Sequence, residues 1–230
     1  MSDCTNCNQQ LLPESHYCSN CGQSVIKFQR PIKPVLVDML HETLDIDGRL
    51  FLTLKTLLLK PGRLTIEYCN GKRKTYTPPL RMYLVISIIF FLLISLLGNN
   101  SVDPDDVILL NSEYYPRLMF VLLPVYALLL QLFFKGTFYI SNLIFAIHIH
   151  CIGYLAFMFM IPLEVYESIH PIFIVMQFPL FFYVLIYTVF AMKNYYEQSW
   201  PKVLIRFLVT SLSYMALLAT SIQIIATVVT

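Results

Sequence analysis

The sequence predicts an all-α polytopic membrane protein with a small N-terminal zinc ribbon and amphipathic cytoplasmic helices. Three observations carry this reading. Only 13% of the 230 residues are charged, about half the roughly 25% of a soluble domain. Mean hydropathy is +0.64, and the apolar residues gather in long runs after residue 82. Four of the six cysteines form two C-x-x-C pairs near the N-terminus. The charge deficit excludes an ordinary soluble enzyme and a disordered tail. A net charge of +2 excludes a nucleic-acid binder that works by bulk charge, and no nucleic-acid partner is expected. The chain divides into a ribbon (1–26), a basic connector (27–81) and a membrane domain (82–230).

The ribbon is read from Cys4-Thr5-Asn6-Cys7 and, ten residues on, Cys18-Ser19-Asn20-Cys21-Gly22. Each pair forms a tight knuckle that points two thiolates at one place. Two knuckles supply four sulfurs, a donor set that suits tetrahedral Zn²⁺. A mononuclear iron site uses the same donors. Gly22 permits the positive φ that closes such a turn. The spacer Asn8–Tyr17 is expected to form a short hairpin bent at Pro13, with His16 exposed. So short a segment cannot bury a core, so the metal supplies its folding energy. Met1–Gln10 is polar and lacks the basic and apolar regions of a signal peptide. The thiols are therefore expected on the reducing, cytosolic side. The ribbon has no Lys or Arg, which argues against phosphate binding and for protein contact or a purely structural role. No internal repeat is read in the chain.

The connector carries eleven Lys and Arg residues from Lys27 to Arg81. Val35–Leu44 is expected as a short helix behind Pro34. Arg49–Leu59 places Leu50, Leu54, Leu57 and Leu58 at helical spacing and ends at Lys60-Pro61-Gly62. Arg63–Asn70 follows, with Gly71 as its stop. Apolar faces interspersed with cations suit helices lying in the headgroup plane, and equally helices packed on the membrane domain. Lys72, Arg73, Lys74 and Arg81 are the expected headgroup contacts. Gly71-Lys72 is not a phosphate loop, since the earlier Gly and the following Ser or Thr are missing.

Five apolar segments follow: Met82–Leu97, Leu118–Phe134, Asn142–Ile161, Pro171–Met192 and Val203–Val229. Each is near the roughly 20 residues that cross a bilayer core. Pro124 and Pro179 are expected inside helices, where they introduce kinks. With the N-terminus in the cytosol, fifteen of sixteen basic residues fall inside and only Arg117 outside, as the positive-inside rule requires. Five spans put Thr230 on the periplasmic or extracellular side. Tyr83, Tyr114, Tyr115, Tyr139, Tyr195, Tyr196 and Trp200 mark the interfaces.

No Asp, Glu, Lys or Arg lies near the midplane of a span, which disfavours a proton-coupled transporter. The polar exception is Ile147-His148-Ile149-His150-Cys151. At about 100° per residue, His148 and His150 face nearly opposite ways, whereas His148 and Cys151 share a face. Each histidine is read either as a neutral side chain bonded to a neighbouring helix or as part of a metal, haem or proton-relay site. Gln131, Gln177 and Gln223 read as interhelical glue, with Gln177 also a candidate member of a polar path. Cys69 and Cys151 read as small apolar residues. Asp103-Pro104-Asp105-Asp106 lacks the spacing and the Gly of a calcium loop. No Ser-His-Asp, H-E-x-x-H or G-x-S-x-G arrangement is present.

Several stretches together are similar to a known family. Cys4 to Gln23, Thr56-Leu57-Leu58-Leu59-Lys60-Pro61-Gly62, Gly71-Lys72-Arg73, Tyr68, Tyr76 and Pro78-Pro79 resemble a bacterial membrane-protein family catalogued as domain of unknown function 3667. Phe145-Ala146-Ile147-His148 is similar to a His-containing segment there. The resemblance covers the first 90 residues and continues mostly by hydropathy. It implies architecture and a bacterial inner membrane, with no activity attached. The functional expectation is a non-enzymatic membrane protein that contacts lipids and docks a cytosolic or membrane partner through its ribbon, with self-association through its helices. The alternatives are a small permease or channel along His148, His150 and Gln177, and a membrane-embedded metal or haem enzyme.

Overall fold

The computed structural model describes residues 3–13, 15–25, 49–98, 114–165, 170 and 172–229. The helix expected at 35–44 and the acidic loop 103–106 lie outside them. Seven helices are described: α1 (Leu50–Leu59), α2 (Arg63–Cys69), α3 (Pro79–Gly98), α4 (Tyr114–Phe133), α5 (Tyr139–Val165), α6 (Ile172–Tyr196) and α7 (Trp200–Val229). α2 stops where Gly71 turns at φ +98°, a conformation that costs glycine nothing. α3 opens on Pro79, whose missing N–H is no loss at a helix start. Pro124 and Pro179 fall within helices as expected, and so does Pro162.

α5 is the central helix, with α3, α4 and α6 packed against it. Half of its apolar span is buried, against 11% for α6 and 17% for α7. The outer helices therefore present bare apolar faces that suit lipid. Paired side chains fix the directions. Tyr154 meets both Tyr83 and Phe90, and Phe157 meets Phe90, so α3 runs with α5. Gln131 bonds Asn142 and Tyr126 meets His150, so α4 runs against it. Tyr196 bonds Asn142, which sets α6 against α5 as well. Tyr214 meets Tyr126, and Arg206 lies over the Phe134 ring, so α7 opposes α4.

Four helices, α3, α5, α6 and α7, are long and apolar enough to cross a membrane. This differs from the five long segments expected. The apolar part of α4, Leu118–Phe133, is shorter, because its first turn is Tyr114-Tyr115-Pro116-Arg117. Its direction within the bundle is nonetheless that of a crossing helix.

The Phe90–Phe157 pair lies about three turns into α3 but five into α5. The first two turns of α5, roughly 10 Å, therefore extend beyond the start of α3. α2 packs into this step, with Tyr68 against Ile140 and Ile144. Leu57 and Leu64 join the same core as Met82, Phe90 and Phe145. α1 and α2 are thus built into the same core as the long helices.

Candidate functional site

The four ribbon cysteines converge. All four Sγ atoms lie within 4.8 Å of one another, and among the described residues they are the one group of three or more metal-ligating side chains. Cys4 Sγ lies 3.7 Å from Cys21 Sγ, and Cys7 Sγ lies 3.7 Å from Cys18 Sγ. A tetrahedron of sulfurs about 2.3 Å from a central ion has edges of about 3.8 Å, so the donor set fits one metal ion. Leu11 closes the cluster on one side. A backbone N–H from Gln9 leads the effects that hold the Cys7 thiol down to about 6. Burial pushes the Cys21 thiol up to about 11. A metal ion at neutral pH therefore meets Cys7 largely as a thiolate and displaces the proton of Cys21.

The two knuckles have one hydrogen-bond pattern. Cys4 N–H donates to the Gln9 carbonyl and Asn8 N–H to Cys4; Cys18 N–H donates to Gln23 and Gly22 N–H to Cys18. Asn8 and Gly22 both take positive φ, +59° and +67°, a region that Asn tolerates better than most side chains. The antiparallel bridges are Asp3–Gln10 and Tyr17–Ser24. This corrects two expectations. The spacer does not form the hairpin; each knuckle closes its own, and Pro13 sits in a turn between them. A short repeat is also present: Cys-Thr-Asn-Cys-Asn-Gln recurs as Cys-Ser-Asn-Cys-Gly-Gln, and its outer Gln is the signal that was missed.

The ribbon is seated on the loop after α2. Gln23 Nε2 donates to the Gly71 carbonyl at 2.6 Å and to Thr5 Oγ1 at 2.9 Å. Gln23 Oε1 accepts the backbone N–H groups of Arg73 and Lys74. Asn6 Oδ1 accepts both the N–H and the hydroxyl of Thr75. Thr5 and Asn6 are the residues between Cys4 and Cys7, so the geometry of the cysteine cluster fixes two of the groups that grip residues 71–75. The fit is close: a Cβ on Gly71 meets Thr5 Oγ1 at 2.7 Å.

The basic residues have defined places. Lys72 Nζ lies 3.7 Å from Glu67 Oε1, and Arg63 pairs with the same carboxylate at 2.9 Å. The Tyr76 hydroxyl donates to the other oxygen of Glu67. Burial acts to raise the Glu67 carboxyl, but Tyr76, Arg63 and Lys72 outweigh it and hold it below its usual range. Arg73 and Lys74 are half-buried, with their backbone on Gln23, while Arg81 is enclosed in the fold at 7% exposure.

The intramembrane residues part company. His148 Nδ1 shares a hydrogen bond of 2.7 Å with Thr65 Oγ1 of α2, and its Nε2 has no partner among the described residues. His150 Nδ1 donates to the Ala146 carbonyl at 2.8 Å, which leaves Nε2 of the neutral ring to accept from the Tyr214 hydroxyl at 2.9 Å. Cys151 is buried in the core. Gln177 of α6 lines a shallow apolar groove with Met160, Ile174, Phe178 and Phe181, and Met160 is about three turns along α5 from His150. Gln131 joins Asn142, Thr137 and Tyr196 in a polar knot at one end of the bundle. The two histidines bond different helices from opposite sides of α5, His148 to α2 and His150 to α7.

Residues 47–91 match the family model described as "Protein of unknown function (DUF3667)". The matched stretch spans α1, α2, the loop that receives the ribbon and the first turns of α3. No curated protein and no solved structure matches the chain.

Proposed function

We propose that this chain is a non-catalytic protein of the bacterial inner membrane whose ribbon holds a structural Zn²⁺ on the cytoplasmic side and presents a protein-docking face. The observation that carries the reading is the closed set of four cysteine sulfurs. A site in which all four positions are thiolates leaves no place for substrate and is structural rather than catalytic. Thr5, Asn6 and Gln23 hold the ribbon to residues 71–75, so it is a fixed platform and not a tethered module. Leu12, Tyr17 and Val25 remain exposed on it, and apolar and aromatic side chains of this kind serve as anchors in protein contacts. The cytoplasmic placement rests on the charge asymmetry of the loops, and the bacterial inner membrane on the family resemblance.

The test is site-specific photocrosslinking in native membranes. A crosslinker at Tyr17 is expected to give a discrete adduct that disappears when Cys18 and Cys21 are replaced by Ser. One at Gln23, which faces the chain's own loop, gives none. Absence of any adduct at positions 12, 17 and 25 contradicts the docking role.

A further inference from the structure

α1 is a helix turned inside out. Its buried residues are Thr53, Thr56 and Leu57, and the hydroxyl of Thr53 bonds Arg49 and Thr77 within the fold. Its exposed residues are Phe51, Leu52, Leu58 and Leu59, with Phe51 at 78% and Leu59 at 68% exposure. At 100° per residue these four fall on one broad face together with Lys55. A helix between protein and water has the reverse pattern.

The end of α1 carries a second sign. The last carbonyls of a helix lack intrahelical partners and are ordinarily met by water. Here α6 meets them with side chains. Tyr187 Oη donates to the Leu57 carbonyl at 2.5 Å, Tyr183 Oη to Leu58 at 2.8 Å, and Asn194 Nδ2 to Pro61 in the following turn at 2.9 Å. Gly62 turns at φ +76° with its Cα against the Ala191 backbone, where a Cβ would meet the carbonyl at 2.7 Å. Internal satisfaction of this kind is what a hydrocarbon surrounding demands. Tyr183 also lies ten residues, roughly 15 Å, from Lys193 toward the middle of α6. Exposed apolar side chains of α6, Phe182 and Ile186, continue the surface beside it.

We infer that α1 is embedded in the leaflet on the ribbon side, with Phe51, Leu52, Leu58 and Leu59 on acyl chains and Lys55 extending its ammonium to lipid phosphates. α1 is then a lipid-inserted wedge and not a cytoplasmic helix. Lys60 and Arg63, both exposed at the turn, sit where anionic headgroups are within reach, as long cationic side chains near an interface do. This goes beyond the docking role of the ribbon and does not depend on it.

The experiment uses the full chain in lipid vesicles. Trp200 is the one tryptophan of the chain, so W200F gives a silent background for Leu59→Trp, Phe51→Trp and, as an aqueous control, Leu12→Trp. The result expected is strong quenching at positions 59 and 51 by phospholipids brominated on the acyl chain, with iodide quenching several-fold weaker than at position 12. Free access of iodide, with no effect of brominated lipid, overturns the inference. Protection from both quenchers also overturns it, because a second copy or another protein then covers the face. Positions 51 and 59 report separately, so loss of fold in one variant leaves the other to decide.

Discussion

Gln23, two residues beyond Cys21, grips Gly71: its amide nitrogen reaches the Gly71 carbonyl at 2.6 Å while its amide oxygen takes the N–H groups of Arg73 and Lys74. One side chain thus satisfies three backbone groups of a loop between two helices packed on the membrane domain. Gln23→Ala removes all three bonds at once. The Gly71 carbonyl keeps Thr5 Oγ1 and the Arg73 N–H as partners, so the loss falls on the Lys74 N–H, where a donor left without its acceptor costs about 1–3 kcal/mol. Hydrogen exchange at the Lys74 amide is expected to speed up, while metal content stays at the parent level. Unchanged exchange at Lys74 contradicts the grip.

Two glycines with positive φ separate strain from contact. Gly62→Ala places a Cβ 2.7 Å from the Ala191 carbonyl, a backbone atom that cannot rotate away. Gly71→Ala places one at the same distance from Thr5 Oγ1, which can. Both carry a left-handed penalty of about 1–3 kcal/mol. Thermal unfolding in detergent should therefore show the larger loss for Gly62→Ala. Thr5→Ala added to Gly71→Ala should recover part of the smaller one.

The Thr65–His148 bond ties α2 to α5 in the core. Thr65→Val leaves Nδ1 of a buried ring unpaired and is expected to destabilise by about 1–3 kcal/mol. Replacing both partners by apolar side chains should cost less than the two single changes added together. Strict additivity in the double-mutant cycle shows that the pair does not interact.

Glu67 sets an acid limit on the connector. Its carboxyl is held below the ordinary value by Tyr76, Arg63 and Lys72 against the opposing effect of burial. The contribution is complete above the ordinary carboxylate range and is lost as pH falls through the lowered folded value. The ribbon thiolates also take up protons in acid, so the readout is the difference between parent and Glu67→Gln. That difference in melting temperature should be constant near neutral pH and shrink below about pH 4.5. A difference that grows in acid contradicts the assignment.

The parts of the fold that were legible in the sequence have local causes. The stop of α2 at Gly71 and the break at Lys60-Pro61-Gly62 follow from glycine and proline geometry, and the four ligands follow from their spacing. Thr5, Asn6 and Gln23 carried no such signal, since small polar residues in a turn have no periodicity. Only the recurrence of Asn and Gln at equivalent places in the two knuckles marked them. The lipid-facing side of α1 was hidden for another reason. Leucines line most of this helix, and composition alone cannot tell a face that meets protein from one that meets acyl chains. The buried threonines decided it, and the partner of Thr53 lies 24 residues away at Thr77. The separation of His148 from His150 was readable, because helical geometry alone places them apart.

The most direct test of the metal-held clamp is limited trypsin digestion of the full chain with and without a strong chelator. Lys72, Arg73 and Lys74 are adjacent tryptic sites on the loop that Gln23, Thr5 and Asn6 hold. With metal bound, this segment should resist cleavage; once the metal is withdrawn, cleavage should occur there first and reverse on adding Zn²⁺. Equal cleavage at residues 72–74 in both states contradicts the account.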